Sequence, residues 1–256
     1  FLADVVGLGK TFITAMLLQQ LQGHILVICP PVLKEYWEDS LRDFGVRSHK
    51  VESLGKLDHI LRKDISKYKY IVVDEAHRFR NETTQSYADL LDICRGKKII
   101  LVTATPLNNT VDDIFAQLKL FQPPKNSTIP GVPNLENFFN KLKRRLKEAK
   151  PTVYFDDKGN KYTLPEDDVL YKKAIKEVSD TIRDKVLKFV MVRRTRTDVK
   201  SFFKDDMQKQ EIIFPEVEDP GRIVYHYKDQ LENVFNETIE LLHTFKYARY
   251  IPLLYY

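Results

Sequence analysis

The hydrophobic and polar positions of this chain follow two different patterns. Up to about residue 124, short unbroken apolar runs alternate with segments that contain neither glycine nor proline. Such runs are typical of strands buried on both faces, and they occur at 25–29, 70–74 and 99–102. The segments predicted to be helices are 11–22, 32–44, 87–94 and 111–121. The alternation predicts an α/β fold, with a parallel sheet covered by helices on both faces and ligands at the carboxyl ends of its strands.

After residue 124 the pattern becomes mainly helical. The four prolines of 123–134 predict a loop. Apolar positions then recur at helical spacing, and 221–227 predicts a strand. The segments with this helical spacing are 135–150, 175–190 and 231–245. We therefore divide the chain into an α/β lobe at 1–124, a helical insertion and linker at 125–220, and the start of a second lobe, or a closing strand–helix unit, at 221–256.

Composition adds little to this picture. Of the 256 residues, 30% are charged and 43% hydrophobic, which is typical of a soluble globular protein. The net charge of +5 does not by itself indicate nucleic acid. No apolar run reaches the roughly 20 residues of a membrane helix, so no membrane partner is expected. Neither a disulfide framework nor a metal cluster can be predicted from Cys29 and Cys94, and the histidines other than His77 show no ligand spacing. We expect a cytoplasmic protein if the source is prokaryotic, which we favour, and a nuclear one if it is eukaryotic.

The stretch LADVVGLGKTF at 2–12 predicts a phosphate-binding loop. Its glycines allow the backbone to approach phosphates, Lys10 supplies a positive charge, and Thr11 supplies a hydroxyl for Mg²⁺ where a helix begins. Asp4 stands where the usual pattern has its first glycine. The alternative is a glycine-rich turn with a surface lysine. The predicted nucleotide-binding residues are Gly7, Leu8, Gly9, Lys10 and Thr11.

Two carboxylates follow the predicted strand at 70–74, in the stretch IVVDEAH. Carboxylates are costly to bury at a strand end unless they have a task. Asp74 would hold Mg²⁺, and Glu75 would orient or deprotonate the attacking water. The alternative is a pair of acidic residues that open a loop.

The stretch LVTATPLNN at 101–109 follows another buried strand and therefore reaches the same edge of the sheet. Thr103 and Thr105 are expected to contact the loop that carries His77. A capped turn with Asn109 or Thr110 as the N-cap is an alternative that is compatible with this contact.

The motifs GLGKT, CPPVLKEYWED, VVDEAH and TATPLNN, in this order, resemble the first RecA-like lobe of superfamily-two helicase-like ATPases, which are P-loop NTPases. Within them the chain is similar to the Swi/Snf-type branch, which carries an aspartate where Asp4 stands. It has Val5-Val6 where that branch has Glu-Met, and Ala104 where many members have glycine. The stretch VRRTRTDV at 192–199 resembles the arginine-rich segment that links the two lobes in that branch.

The resemblance implies an ATP-dependent DNA translocase or helicase-like motor that uses ATP and Mg²⁺. It implies catalytic roles for Lys10, Asp74 and Glu75, with magnesium held by Thr11 and Asp74. It also implies that His77 couples this site to Thr103 and Thr105. The positions implied to lie near the nucleic-acid backbone are Pro31, Lys34, Asn108 and Asn109. Double-stranded DNA and a second RecA-like lobe of the same polypeptide are the expected partners.

Other functions stay open at this point. Within the enzymes, an RNA helicase or the motor subunit of a restriction system is the alternative. In a different class, a nucleotide-binding switch or scaffold would bind ATP and move nothing. Because the chain begins inside the phosphate loop, we expect a fragment that binds ATP but does not hydrolyse it alone, since an arginine from the second lobe would be needed.

Three further features are less specific. The predicted helix at 135–150 carries six basic residues on one side, which indicates either contacts with DNA phosphates or a solvated face. The arginines Arg193, Arg194 and Arg196 would contact either the lobe junction or DNA. Trp37 lies on an amphipathic helix and is expected in the core rather than as a stacking platform.

Overall fold

The computed structural model describes residues 1–104, 110–155, 161–162, 164–214 and 229–243. The helices of the α/β part are α1 (Lys10–Gln19), α2 (Lys34–Asp43), α3 (Leu57–Leu61), α4 (Gln85–Cys94) and α5 (Val111–Lys119). Its strands are β1 (His24–Cys29), β2 (His49–Ser53), β3 (Tyr68–Asp74) and β4 (Lys98–Val102). No helix in this described part of the chain is long and apolar enough to cross a membrane.

The four strands form one parallel sheet in the order β2-β1-β3-β4. In the register, Val27 of β1 pairs with Val51 of β2 on one side and with Val72 of β3 on the other. Strand β2 was not predicted from the sequence, because an edge strand needs few apolar residues and is held by main-chain hydrogen bonds to β1.

The first five residues extend the sheet beyond β4. The amide of Leu2 donates to the carbonyl of Leu101 over 2.8 Å, and Leu2 accepts from the amide of Thr103 over 3.1 Å. On its other side, the amide of Ala3 donates to the carbonyl of Val192 over 2.8 Å. The segment around Val192 therefore lies next to the strand that leads into the phosphate loop.

Two hydrophobic clusters cover the two faces of the sheet. Leu26 and Ile28 of β1 point toward α3 and α4, whereas Ile25 and Val27 point toward α1 and α2. Successive side chains of a strand point to opposite faces of the sheet, and here both faces are buried. Every position therefore needs an apolar residue, which explains the unbroken apolar runs in the sequence. The predicted α/β class, with helices on both faces, is confirmed.

The described residues after 124 are mainly helical, as predicted. Its helices and short strands are α6 (Leu135–Glu148), β5 (Tyr154–Phe155), β6 (Lys161–Tyr162), α7 (Pro165–Ile182), α8 (Lys188–Val190), α9 (Arg196–Phe202), α10 (Lys204–Lys209) and α11 (Asp229–His243). A π-helical segment, Arg183–Leu187, joins α7 to α8. Helix α6 packs against both α5 and α7, and the rings of Phe115 on α5 and Phe139 on α6 stack with centroids 4.7 Å apart.

The chain divides into two compact units, 1–212 and 213–256. The second is described here only as helix α11, which coincides with the helical pattern predicted at 231–245. The strand predicted at 221–227 lies outside the described residues, and the three-part division of the chain stays a prediction.

Candidate nucleotide site

The predicted phosphate loop connects the extended first residues to α1. Gly7 and Gly9 have φ angles of 86° and 71°, in the left-handed region that favours glycine, and Gly9 is the N-cap of α1. A helix start leaves several amide groups without helical partners, and these suit an anion. The ammonium of Lys10 donates to the backbone carbonyl of Asp4 over 3.1 Å. Thr11 is the second residue of α1 and is partly exposed.

Asp74 lies at the carboxyl end of β3 and is buried. One carboxylate oxygen accepts from the amide of Glu75 over 2.9 Å, and the other accepts from the indole Nε1 of Trp37, also over 2.9 Å. Burial raises the pKa of Asp74 above its ordinary value, and these two hydrogen bonds and the charge of Lys10 act in the opposite direction. Trp37 is fully buried, as predicted, but its role as a donor to Asp74 was missed.

Glu75 and His77 follow in the loop after β3. Glu75 is a non-glycine residue in the left-handed region, with φ 51° and ψ 43°. Its carboxylate lies 3.0 Å from Nδ1 of His77, and the same nitrogen lies 3.2 Å from the hydroxyl of Thr103. The structure therefore brings three of the sequence-predicted residues into one chain of contacts. Thr105 lies outside the described residues.

Asp4 is fully buried, and its partner could not be predicted from the sequence. Its carboxylate accepts from the backbone amide of Arg194 over 2.8 Å, from Nε over 3.1 Å and from Nη2 over 2.5 Å. A β-carbon built on Gly7 would lie 3.7 Å from Nη2 of Arg196. The arginine-rich stretch thus reaches the phosphate loop, 190 residues away in sequence.

The residues implied to contact nucleic acid are only partly described. Pro31 is exposed at the first position of a short 3₁₀ turn. Lys34 begins α2 and lies 3.9 Å from Glu38. Asn108 and Asn109 lie outside the described residues, so the grouping of the four positions stays a prediction.

Three of the basic residues of α6 form ion pairs. Lys143 lies 2.6 Å from Asp112 of α5, and Arg144 lies 3.5 Å from Glu148. Arg145 pairs with Glu177 of α7. The pairs of Lys143 and Arg145 tie α6 to α5 and α7, and they favour a structural role for this side of the helix over a free phosphate-binding surface.

Comparisons with known proteins place this chain in a family. The profile of the SNF2-related domain matches residues 42–246. The probable ATP-dependent DNA helicase CHR12 of Arabidopsis thaliana is 26% identical over 265 residues, which cover 87% of this chain and 22% of that protein. The uncharacterized ATP-dependent helicase YqhH of Bacillus subtilis is 28% identical over 144 residues, which cover 48% of this chain and 26% of that protein.

Among solved structures, the Sulfolobus solfataricus SWI2/SNF2 ATPase core in complex with dsDNA is similar, with 23% identity and a TM-score of 0.48. The match covers 77% of this chain and 40% of that one. This chain spans about a quarter of the length of the two curated relatives named above. Because the family profile matches most of its residues, the chain belongs to the SNF2-related domain family.

Proposed function

We propose that the loop at 7–11 binds ATP with Mg²⁺, and that the protein to which this chain belongs hydrolyses ATP to move along double-stranded DNA. The observation that carries the proposal is the meeting of two motifs. Leu2, in the segment that leads into the phosphate loop, pairs with Val102 of β4, and Val102 pairs on its other side with Asp74 of β3, so both motifs lie at the same edge of the sheet. Membership of the SNF2-related family and the similarity to a probable ATP-dependent DNA helicase support the motor function.

The residues present fit a magnesium ion. Mg²⁺ prefers oxygen ligands, usually one or two from the protein, together with substrate phosphates. The two hydrogen bonds that Asp74 accepts orient its carboxylate, and each oxygen keeps a lone pair for a further contact. Asp74 and the hydroxyl of Thr11 would hold the ion. When bound, it would neutralise charge that develops on the transferred phosphoryl group.

Lys10 and the loop amides would bind the phosphates. Among the described residues the Lys10 ammonium donates to a neutral carbonyl, that of Asp4, and a phosphate can replace this contact by a stronger, charged one. Glu75 would accept a proton from the attacking water or orient it. Its contact with His77, and the contact of His77 with Thr103, would transmit the state of this carboxylate toward the neighbouring strand end.

The experiment is a calorimetric titration of the chain with MgATP. Lys10→Ala should weaken binding at least about tenfold, because a charge-assisted contact is lost. Lys67→Ala is the matched control, since Lys67 is exposed and precedes β3 at the opposite edge of the sheet. Equal affinities for the two variants would exclude the phosphate loop. The motor proposal fails if duplex DNA does not stimulate ATP turnover by the protein that contains this domain.

A further inference from the structure

Asp4 poses an electrostatic problem at the proposed site. A carboxylate at the entrance of a phosphate loop repels the polyphosphate that the loop would bind, and burial strengthens this repulsion. It is also costly to bury without a compensating charge. Asp4 is completely buried, so solvent does not screen its charge.

Arg194 compensates this charge. Its guanidinium contacts both carboxylate oxygens through Nε and Nη2, and its backbone amide adds a further hydrogen bond. The arginine is held in place by the sheet: the amide of Val5 donates to the carbonyl of Arg194 over 3.2 Å, and the amide of Ala3 donates to that of Val192. Side chains and main chain therefore attach the same short segment to the start of the phosphate loop.

The contact continues to the phosphate-binding lysine. The backbone carbonyl of Asp4 accepts a hydrogen bond from the ammonium of Lys10. Asp4 therefore contacts Arg194 through its side chain and Lys10 through its backbone. A displacement of Arg194 would thus change both the charge and the position of the loop entrance.

We propose that Arg194 is a positioning residue of the nucleotide site, which neutralises Asp4 and holds the phosphate loop in a conformation that accepts ATP. This inference rests on the proposed binding of ATP by that loop. Arg194 immediately precedes Thr195 and α9, so any partner or conformational change that shifts this segment alters ATP affinity through the same contact. The arginine-rich stretch is then a part of the nucleotide site and a route for its regulation.

The test combines Arg194→Gln, Asp4→Asn and the double variant, with Arg193→Gln as the matched control because Arg193 is exposed and adjacent. MgATP affinity is measured by calorimetry. Arg194→Gln leaves the carboxylate uncompensated and should weaken binding on the order of tenfold or more. The double variant should regain most of this loss, because no unpaired charge remains, and Arg193→Gln should bind as the parent chain does. A merely structural role predicts that Arg194→Gln lowers the free energy of unfolding while the folded variant binds MgATP as tightly as the parent chain does.

Two further measurements keep the outcome decisive. Arg194→Lys keeps the charge and supports folding if Arg194→Gln does not; since it lacks the planar fork, it should bind MgATP less tightly than the parent chain. Hydrogen exchange without nucleotide should accelerate at the amides of Ala3 and Val5 in the Arg194 variants and not in Arg193→Gln.

If Arg194→Gln matches Arg193→Gln in affinity, or the double variant shows no recovery, or the exchange is unchanged, Arg194 does not position the loop. If the parent chain does not bind MgATP, the proposed function fails. Accelerated exchange would then still show that Arg194 holds the loop, and unchanged exchange would overturn that as well.

Discussion

The indole of Trp37 donates a hydrogen bond of 2.9 Å to the carboxylate of Asp74, and both side chains are buried. Trp37 lies on α2, which packs on one face of the sheet, and Asp74 ends a central strand. A tryptophan that fills the core therefore also fixes the orientation of the carboxylate proposed to hold magnesium.

We expect Trp37→Phe to lower the free energy of unfolding by about 1–3 kcal/mol from the unpaired carboxylate oxygen, in addition to the effect of the lost volume. Combining it with Asp74→Asn should cost less than the sum of the single changes, since the two side chains interact. Urea unfolding is monitored by circular dichroism, because Trp37 is the only tryptophan and its replacement removes the tryptophan fluorescence signal. Strict additivity would show that the hydrogen bond contributes nothing.

Glu75→Gln should leave MgATP affinity nearly unchanged and lower DNA-stimulated turnover by about a hundredfold or more, since it removes the proton acceptor but keeps the shape of the side chain. Glu35→Gln on the exposed surface of α2 is the control. Turnover by Glu75→Gln at the rate of this control would exclude Glu75 as the catalytic carboxylate.

Replacing Lys143, Arg144 and Lys147 together by glutamine should hardly change the salt dependence of DNA affinity, because Lys143 and Arg144 are already held in ion pairs. Stability should fall by only about 0.2–1 kcal/mol per lost surface pair. DNA titrations at several salt concentrations decide the point. If the plot of log affinity against log salt concentration became shallower by about 0.9 per replaced residue, these residues would instead contact phosphates.

Both cysteines should resist thiol reagents in the folded protein. Cys29 and Cys94 are buried, and burial raises the pKa of each thiol to about 12. The unfolded chain releases these protons near pH 9, whereas the folded chain retains them, so the free energy of unfolding should fall as the pH rises from about 9 toward 12. Labelling with a thiol reagent, with and without denaturant, and unfolding at several pH values test this. Rapid labelling of either thiol under native conditions would contradict the burial.

The sequence by itself determined the α/β class and the order of the main elements. Fully buried strands require apolar residues at every position, and amphipathic helices require a 3.6-residue period, so both leave a local signal. The signal is absent for β2, where main-chain pairing at a sheet edge suffices with few apolar residues. It is also absent for residues 1–5, which are extended only because they pair with β4 and Val192.

The sequence also determined which residue types can serve a nucleotide: Lys10 after its glycines, and Asp74 and Glu75 after a buried strand. It singled out Asp4 only as a departure from a pattern, and Trp37 only as a core residue. Only the tertiary structure decided that Trp37 donates to Asp74 and that Arg194 neutralises Asp4. These pairs are far apart in the chain, and local spacing carries no information about which donor the folded chain brings to a buried carboxylate.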